Sequence, residues 1–391
     1  MMAPADRPAP RPSGASTSSS SAGATLEPLS PGATIGILGG GQLGRMLAVA
    51  AARLGLKTHI YSDGRDACAF DVAHAHTVGD YDDTVAVEAF ARHVDVVTYE
   101  FENVPLEAAA AAERAKPVRP GLDALRVAQD RLTEKQFMMG LRLPVAPFTG
   151  IDTVADLAEA ERRVGTPSIL KTRRLGYDGK GQVRIAAGAS IAEAFAELGR
   201  APCVLEGLVA FEFEVSILVA RDQSGATRFY DPPRNTHESS ILRQSTVPAG
   251  LPASAVQRAT TIAKRIADGL GYIGVLGVEL FYLGSDAPEP LFVNEIAPRV
   301  HNSGHWTMDA CAVSQFENHI RAIAGWPLGS TARHSNAVMT NIIGPEADDW
   351  IKLAAQGGAG GDGQCLHLYG KGLARPGRKM GHVTHISPLH G

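Results

Sequence analysis

The stretch Val275-Leu-Gly-Val-Glu-Leu-Phe-Tyr-Leu283 is followed, after a turn rich in Gly, Ser, Asp and Pro, by Leu291-Phe-Val-Asn-Glu-Ile296. Two apolar runs around such a turn predict a β-hairpin. Each run carries one carboxylate, Glu279 and Glu295, and two carboxylates on adjacent strands repel unless a cation lies between them. A bridging Mg²⁺, with Asn294 as a neutral oxygen ligand, explains the pattern. The alternative is a pair of salt-bridged edge residues.

A basic, glycine-rich loop precedes this hairpin. Ile169-Leu-Lys171 ends a predicted strand, and residues 173–182 (RRLGYDGKGQ) lead into the next one. Glycines let backbone N–H groups approach phosphate oxygens closely, and Lys171 adds a point charge from a rigid strand. The loop is typical of a polyphosphate site, although a solvated basic hairpin would look the same.

The surrounding pattern predicts an α+β unit that resembles a lid. Helices are expected at about 154–164 and 190–198, and strands at 167–172, 182–186 and 203–208. A strand over 211–220 then places Glu212, Glu214 and Ser216 on the face opposite Val215 and Ile217. Leu143–Phe148 is expected to be extended, and residues 306–323 to form one helix.

The first predicted strand, residues 34–38, runs into a glycine turn and an apolar-periodic helix. Gly39-Gly-Gly-Gln-Leu-Gly44 satisfies G-x-G-x-x-G, and Asp63 follows about twenty residues later, as in a dinucleotide site. With 42 glycines in 391 residues the bare pattern also arises by chance, as in Gly358-Ala-Gly-Gly-Asp-Gly363. The helix N-terminus suits an anion. An NAD(P) site, a site for another phosphate-bearing ligand, and a purely structural turn all remain open.

Two polar clusters lie in the C-terminal third. His301 and His305 are four residues apart, but without an evident third ligand we expect structural histidines or substrate donors rather than a zinc site. Lys371, Arg375, Arg378 and Lys379 fall within nine residues. They form either a second anion site or a solvated basic turn.

Composition limits the class of protein. Apolar residues make up 45% and charged residues 20% of the chain, and the formal net charge is −4, which argues against general binding to nucleic acid or acidic membranes. No run of about 18 apolar residues is present, and we expect a soluble, cytoplasmic protein. The four well-separated cysteines, Cys68, Cys203, Cys311 and Cys365, are expected to be reduced and buried.

The order of the predicted elements indicates a fold of mixed α/β and α+β class. We expect a disordered tail over 1–30, a Rossmann-like parallel α/β domain over 31–128, a central domain over 129–335 with its lid at about 150–232, and a small β-rich domain over 336–391.

Six stretches of this sequence, in order, resemble the N5-carboxyaminoimidazole ribonucleotide synthetases, an ATP-grasp family. They are Ile37-Leu-Gly-Gly-Gly-Gln-Leu-Gly-Arg-Met46, Thr98-Tyr-Glu-Phe-Glu-Asn-Val-Pro105, Gln129-Asp-Arg-Leu-Thr-Glu-Lys135, Gly176-Tyr-Asp-Gly-Lys-Gly-Gln182, Asn294-Glu-Ile-Ala-Pro-Arg-Val-His-Asn-Ser-Gly-His-Trp306 and Arg375-Pro-Gly-Arg-Lys-Met-Gly-His382. The resemblance implies an ATP-grasp fold and a homodimer. It also implies a reaction in which ATP and bicarbonate give carboxyphosphate, which then carboxylates 5-aminoimidazole ribonucleotide.

The resemblance further implies roles for individual residues. Glu279 and Glu295 would bind Mg²⁺, with Mn²⁺ as a substitute, and Lys171, Asp178 and Arg299 would take part in catalysis. The implied ATP site consists of Arg131, Lys171, Gly176, Tyr177, Asp178, Gly179, Lys180, Gly181, Gln182, Glu206, Gly207, Leu208, Val209, Glu214, His237, Asn294 and Glu295. The implied ribonucleotide site consists of Gln42, Leu43, Tyr177, Asp178, Arg299, His301, Asn302, Lys371 and Arg378.

Three rival functions remain. An NAD-dependent dehydrogenase rests only on the glycine turn and Asp63. A sister ATP-grasp ligase, such as one that transfers formate to glycinamide ribonucleotide, would share the nucleotide site. A nucleotide-binding regulator without turnover is disfavoured because Lys171, Glu279, Asn294, Glu295 and Arg299 are all present.

Overall fold

The computed structural model describes residues 27–176, 179–356 and 363–389. Tyr177, Asp178, most of the predicted tail and most of the second glycine pattern therefore lie outside the described residues. Among the described helices, none has both the length and the apolar character that crossing a bilayer requires.

The N-terminal sheet is parallel, with strand order β3-β2-β1-β4. Its strands and helices, in chain order, are β1 (Thr34–Leu38), α1 (Gln42–Arg53), β2 (Lys57–Ser62), β3 (Ala75–Val78), α2 (Thr84–Ala91), β4 (Val96–Tyr99), α3 (Leu106–Glu113) and α4 (Leu122–Ala128). The glycine turn after β1 and the polar residues after β4 meet at the carboxyl edge of this sheet, because parallel strands end on the same side.

The small sheet is antiparallel, with order β5-β8-β6-β7. This part of the chain comprises α5 (Arg131–Gly140), β5 (Phe148–Ile151), α6 (Leu157–Arg163), β6 (Ser168–Thr172), β7 (Gln182–Ile185), α7 (Ile191–Glu197) and β8 (Cys203–Gly207). The helices and strands predicted for the lid are present here. The segment predicted to be extended, Leu143–Phe148, makes a single bridge, from Val145 to Val293, and leads into β5, which begins at Phe148.

The large sheet has the order β14-β13-β9-β11-β12-β15-β17-β16, and β10 pairs with β9. Its chain segments are β9 (Phe213–Arg221), β10 (Thr227–Phe229), β11 (Arg234–Glu238), β12 (Ile241–Val247), α8 (Ala253–Gly269), β13 (Gly274–Tyr282), β14 (Leu291–Ala297), α9 (Thr307–Ala310), α10 (Gln315–Ile323), β15 (Asn336–Ile343), α11 (Trp350–Gln356), β16 (Gln364–Leu368) and β17 (Lys379–Ser387). The C-terminal strands thus extend the same sheet that carries the predicted hairpin, through the β12–β15 pairing.

Strand β9 is buried on both faces in its second half. Ile217 and Val219 pack in the core that contains α8, while Leu218 and Ala220 pack in the core that contains α10. Helices therefore cover both faces of the sheet, and the polar face predicted for this strand ends at Ser216.

The single helix expected over 306–323 is wrong. Cys311 has an extended backbone and bridges to Arg333, so the chain forms α9, a turn and then α10. Ser314 begins the second helix by accepting a hydrogen bond from the Glu317 N–H at 3.2 Å. The expectation for the cysteines holds for Cys68, Cys203 and Cys311, whereas Cys365 is only partly buried.

Candidate functional site

Five charged side chains form a compact cluster between α5, the small sheet and β14; we call it the charge cluster, and it consists of Arg131, Lys135, Lys171, Glu206 and Glu295. Arg131 Nη1 donates to Glu295 Oε2 at 2.6 Å. Lys135 Nζ lies 3.0 Å from Glu206 Oε2, and Lys171 Nζ lies 3.2 Å from Glu206 Oε1. Arg131 also donates to the Gly176 carbonyl at 3.2 Å. The predicted phosphate-binding cations therefore converge from a helix and a strand.

In the charge cluster, burial favours the neutral form of each carboxylate, whereas pairing with cations favours the ionised form. Burial by itself would raise the pKa of Glu206, but Lys135 and Lys171 outweigh burial and hold the pKa at about 2. Burial would likewise raise the pKa of Glu295, and Arg131 together with Lys171 lowers it to about 2. Burial lowers the pKa of Lys171 in spite of Glu206. The carboxylates stay ionised because cations surround them.

Three carboxylates, Glu214, Glu279 and Glu295, form what we call the acidic trio. Glu279 on β13 and Glu295 on β14 are direct cross-strand partners, and Glu214 lies on neighbouring β9. Burial, followed by repulsion from Glu279 and Glu295, raises the pKa of Glu214 to about 7. The Asn294 side-chain oxygen is buried and has no hydrogen-bond partner among the described residues. Like charges and an unpaired oxygen acceptor suit a hard cation.

Two histidines contact the acidic trio. His237 Nδ1 lies 3.2 Å from Glu214 Oε2, and His301 Nε2 lies 3.0 Å from Glu279 Oε1. His301 Nδ1 reaches Ser303 Oγ at 2.8 Å, and Ser303 Oγ reaches Ser216 Oγ at 2.6 Å. A buried chain of hydrogen bonds thus fixes His301 against Glu279.

The glycine turn of the N-terminal sheet surrounds a carboxylate from the protein itself. Glu100 accepts hydrogen bonds from the N–H groups of Gly41 at 2.6 Å and of Gly44 at 3.0 Å. Gly39 has φ +114, and a Cβ on Gly41 would lie 2.6 Å from Glu100 Oε1. A pyrophosphate would have to displace this buried side chain, which explains why the glycine pattern by itself does not make a dinucleotide site.

A cavity of about 440 Å³ lies beside this turn. We call it the basic cavity after Arg65, Lys371 and Arg378; its lining also includes Asp63, Asp66, Glu100, Gly39, Gly40 and Gly41. Lys371 Nζ donates to the Lys379 carbonyl at 2.9 Å, and Arg378 Nη1 donates to the Leu373 carbonyl at 3.1 Å. Burial lowers the pKa of Lys371 to about 8. The two predicted anion sites, which are far apart in the sequence, therefore line the same cavity.

Arg299 interacts with carboxylates of both the acidic trio and the basic cavity. Burial disfavours its charge, but Glu102, Glu100 and Glu279 together raise its pKa. Its Nε donates to Glu102, and although burial alone would raise the pKa of Glu102, Arg299 holds it at about 2. Arg299 thus connects the two halves of the candidate site.

Several other predicted residues lie close by, with different environments. Both side-chain amide atoms of Asn302 are buried and lack a partner among the described residues. Gly181, with φ +70, packs its backbone against Thr172 Oγ1, which a Cβ would meet at 2.5 Å. Gln182 begins β7 and pairs with Lys171.

Other predictions fit less well. The Leu43 side chain is in the hydrophobic core, so only its backbone faces the turn, and His301 contacts the acidic trio rather than the basic cavity. Leu208 and Val209 follow β8, where the Leu208 N–H donates to the Pro167 carbonyl at 3.2 Å.

Four functional candidates were missed by the sequence reasoning. Glu100 and Glu102 alternate directly after β4, a position that favours ligand-facing side chains in parallel sheets. Glu134 and Lys135 follow Arg131 on α5; Lys135 donates to the Asn294 carbonyl at 2.8 Å, and burial raises the pKa of Glu134 to about 8. All four lie in the stretches that carry the family resemblance, and this location could have indicated a functional role.

Comparison with known proteins assigns three consecutive domains. Residues 32–129 match the ribonucleotide synthetase preATP-grasp domain, 136–316 the ATP-grasp domain, and 337–390 the phosphoribosylaminoimidazole carboxylase C-terminal domain. The predicted ATP-grasp fold, with an N-terminal parallel sheet and C-terminal antiparallel strands, is confirmed.

Relatives match over nearly the whole chain. The N5-carboxyaminoimidazole ribonucleotide synthase of Brucella melitensis is 49% identical over 362 residues, which cover 92% of this chain and 98% of that protein. The Pseudomonas aeruginosa protein of the same name is 45% identical, with 90% and 93% covered.

Solved structures agree with the relatives. An N5-carboxyaminoimidazole ribonucleotide synthetase in complex with ADP superposes with a TM-score of 0.87 at 41% identity, covering 92% of this chain and 94% of that one. The Aspergillus clavatus N5-carboxyaminoimidazole synthase, in complex with ADP and 5-aminoimidazole ribonucleotide, gives 0.83 at 32% identity, covering 92% and 95%. This chain belongs to the N5-carboxyaminoimidazole ribonucleotide synthase family.

Proposed function

We propose that this protein uses ATP to carboxylate 5-aminoimidazole ribonucleotide with bicarbonate, giving N5-carboxyaminoimidazole ribonucleotide, ADP and phosphate, as a step of purine biosynthesis. The observation that carries the proposal is that Arg299 interacts both with Glu279 of the acidic trio and with Glu100, which lines the basic cavity. ATP-dependent transfer to a phosphorylated acceptor needs both kinds of site next to each other.

The acidic trio fits Mg²⁺, or Mn²⁺ in its place. Glu279 and Glu295 would be ligands, and the unpaired Asn294 oxygen lies on the same strand as Glu295. When bound, the ion would neutralise charge on the transferred phosphoryl group. Burial and repulsion from Glu279 and Glu295 raise the pKa of Glu214 to about 7, and a bound cation would relieve that repulsion.

Around this centre the protein's own groups bind ATP. Arg131 and Lys171 would contact the phosphates, and the Gly176–Gln182 loop would close over them. Glu206, Gly207, Leu208 and Val209 would line the adenine pocket, and Glu214 with His237 would bind the ribose. Closure would exclude water from carboxyphosphate, which hydrolyses readily.

The basic cavity would bind the ribonucleotide through its single phosphate, with Lys371 and Arg378 as counter-charges. The backbone at Gln42 and Leu43 would contact the same ligand, and the unpaired Asn302 amide offers it a donor and an acceptor. His301 would orient Glu279 at the boundary between the two ligands. Tyr177 and Asp178 remain proposed contacts to the amine, and Arg299 and Lys171 remain the proposed catalytic cations.

Assembly, location and domain limits complete the proposal. We propose a cytoplasmic homodimer whose domains span 31–128, 129–335 and 336–391, with the lid at about 150–232. The last proposed boundary coincides with Asn336, the first residue of β15. The large sheet continues across this boundary through the β12–β15 pairing.

The test is ADP release with Mg²⁺-ATP and bicarbonate, measured with and without 5-aminoimidazole ribonucleotide. We expect turnover that depends on the ribonucleotide, with carbon from labelled bicarbonate appearing in the product. A parallel assay uses glycinamide ribonucleotide with formate. Activity with that pair alone would identify the protein as the sister ligase instead. No ADP release in either assay would favour the non-enzymatic regulator.

A further inference from the structure

A second cluster of ligand-type side chains, which are not assigned to either proposed substrate site, lies where α9 packs against β16 and β17. Residues two apart on a strand share a face, so Cys365 and His367 point to the same side of β16. The antiparallel register places His382 directly opposite His367, and Thr384 opposite Cys365. One sheet face therefore presents a thiol and two imidazoles together.

Asp309 closes this face from α9. His367 Nε2 lies 3.0 Å from each of the two Asp309 carboxylate oxygens, and the same carboxylate interacts with the Cys365 side chain. One ligand atom each from Asp309, His367 and His382 lie within 4.8 Å of one another. Small side-chain movements would bring such atoms to the separations found around one tetrahedral ion.

Several buried polar atoms on this face have no partner among the described residues. They are His382 Nε2, Thr384 Oγ1 and, from the segment before α9, His305 Nε2. His382 and His305 are both fully buried, and their rings lie 4.9 Å apart. The other nitrogen of His382 is engaged by the Tyr369 hydroxyl at 2.8 Å, an outer contact that would fix the ring with Nε2 free. Unpaired buried nitrogens are costly, and a metal ion would satisfy one.

We propose that Asp309, Cys365, His367 and His382 bind a four-coordinate transition-metal ion of the Zn²⁺ class. Nitrogen and sulfur ligands distinguish this site from the all-oxygen sites that Mg²⁺ prefers. The Asp309 carboxylate and the Cys365 thiolate together balance the charge of a divalent ion.

The ion would connect two segments that the proposed ribonucleotide site uses. Asp309 follows the Arg299–Asn302 segment, and β16 and β17 flank the loop that carries Lys371 and Arg378. The site would therefore stabilise the packing of α9 on the C-terminal strands. None of its four proposed ligands is assigned to a substrate site, so the test of the metal site is independent of the proposed function.

The test is metal binding to the full-length protein after chelator treatment, in excess Mg²⁺ so that the acidic trio is saturated. Titration with Co²⁺ should give the visible d–d bands of a four-coordinate ion, and Zn²⁺ should displace Co²⁺ at one equivalent per chain. From the affinities of comparable sites we expect a Kd for Zn²⁺ below about 0.1 µM. The melting temperature should rise when Zn²⁺ is added.

Variants assign the ligands. His367→Gln and Asp309→Asn should each weaken Zn²⁺ binding by at least about 100-fold, while Cys365→Ser should remove the sulfur-to-cobalt charge-transfer band. His334→Gln, at an exposed histidine, and Glu279→Gln, at the acidic trio, should leave binding unchanged.

Wild-type protein that binds no Zn²⁺ in excess Mg²⁺ would overturn the proposal, as would binding lost in Glu279→Gln but kept in His367→Gln. The wild-type titration and the Cys365→Ser spectrum decide the question even if a variant at a buried ligand fails to fold.

Discussion

The acidic trio and the basic cavity solve opposite electrostatic problems within one site. In the acidic trio, Glu214, Glu279 and Glu295 face one another, and burial together with repulsion from the other two carboxylates raises the pKa of Glu214 to about 7. In the basic cavity, the Glu100 carboxylate is held by backbone N–H groups, and Lys371 and Arg378 are the proposed ligand-binding cations. We expect the first region to bind a cation and the second to bind an anionic ligand.

The difference between the two regions shows how the charged side chains of a site indicate the charge of its ligand. Strands β9, β13 and β14 hold the acidic trio in a fixed register, so the site exists before any ion binds. The basic cavity instead joins the N-terminal sheet to the loop between β16 and β17. Changes to the acidic trio should therefore affect the chemical step, and changes to the basic cavity should affect affinity for the ribonucleotide.

The largest expected effect is that of Glu295→Ala. This change removes a proposed metal ligand and leaves Arg131 without its partner, so kcat should fall by at least about 100-fold, the scale of losing one charge partner of the transition state. The measurement is ADP release at saturating ATP, bicarbonate and ribonucleotide. Glu289→Ala, which removes the ion pair with Arg258 elsewhere on the hairpin, should stay near wild type. A kcat for Glu295→Ala within about threefold of wild type would remove Glu295 from the metal site.

The next expected effect is a pH dependence of stability that comes from the acidic trio. Glu214 binds a proton in the folded protein up to about pH 7, against an ordinary pKa of 4.5, so the folded state holds more protons than the unfolded state between these values. The stability contributed by this proton should therefore be lost as the pH rises from 5 to 8, by on the order of 2 kcal/mol. Buried histidines with lowered pKa values, among them His305, His319 and His382, act in the opposite direction below about pH 6.5, so the contribution of Glu214 is measured as the difference between wild type and Glu214→Gln. Glu134, whose pKa is about 8, acts in the same direction as Glu214, whereas the carboxylates with pKa near 2 act only in more acidic solution.

Mg²⁺ separates the contribution of Glu214 from the rest. In thermal melts across this pH range, the contribution of Glu214 should change less with Mg²⁺ than without it, because the ion replaces the proton. Without Mg²⁺, the stability of Glu214→Gln relative to wild type should rise from pH 5 to 8, whereas that of Glu238→Gln, at a more exposed carboxylate of β11, should stay constant relative to wild type. An unchanged slope in Glu214→Gln would show that Glu214 does not titrate in this window.

Sequence reasoning performed differently in the two regions. The β13–β14 hairpin and its carboxylates were predictable because strand periodicity fixes which side chains meet over a short separation. The capping of the glycine turn by Glu100 was not, since Gly41 and Glu100 are 59 residues apart and nothing local specifies their contact. The break at Cys311 was missed for a similar reason, because its extended conformation depends on the bridge to Arg333.

The smallest of these effects should come from the basic cavity, with Lys371→Met. Lys371 is held by the Lys379 carbonyl and lies over the Tyr369 ring at 5.7 Å, so methionine can occupy its space without the charge. Because a phosphate contact contributes to binding rather than to the chemical step, KM for the ribonucleotide should rise about tenfold while kcat and KM for ATP stay near wild type. Lys352→Met, at an exposed lysine of α11, provides the matched control. An equal fall in kcat at saturating ribonucleotide would instead place Lys371 in the transition state, and the division of labour between the two regions would then be wrong.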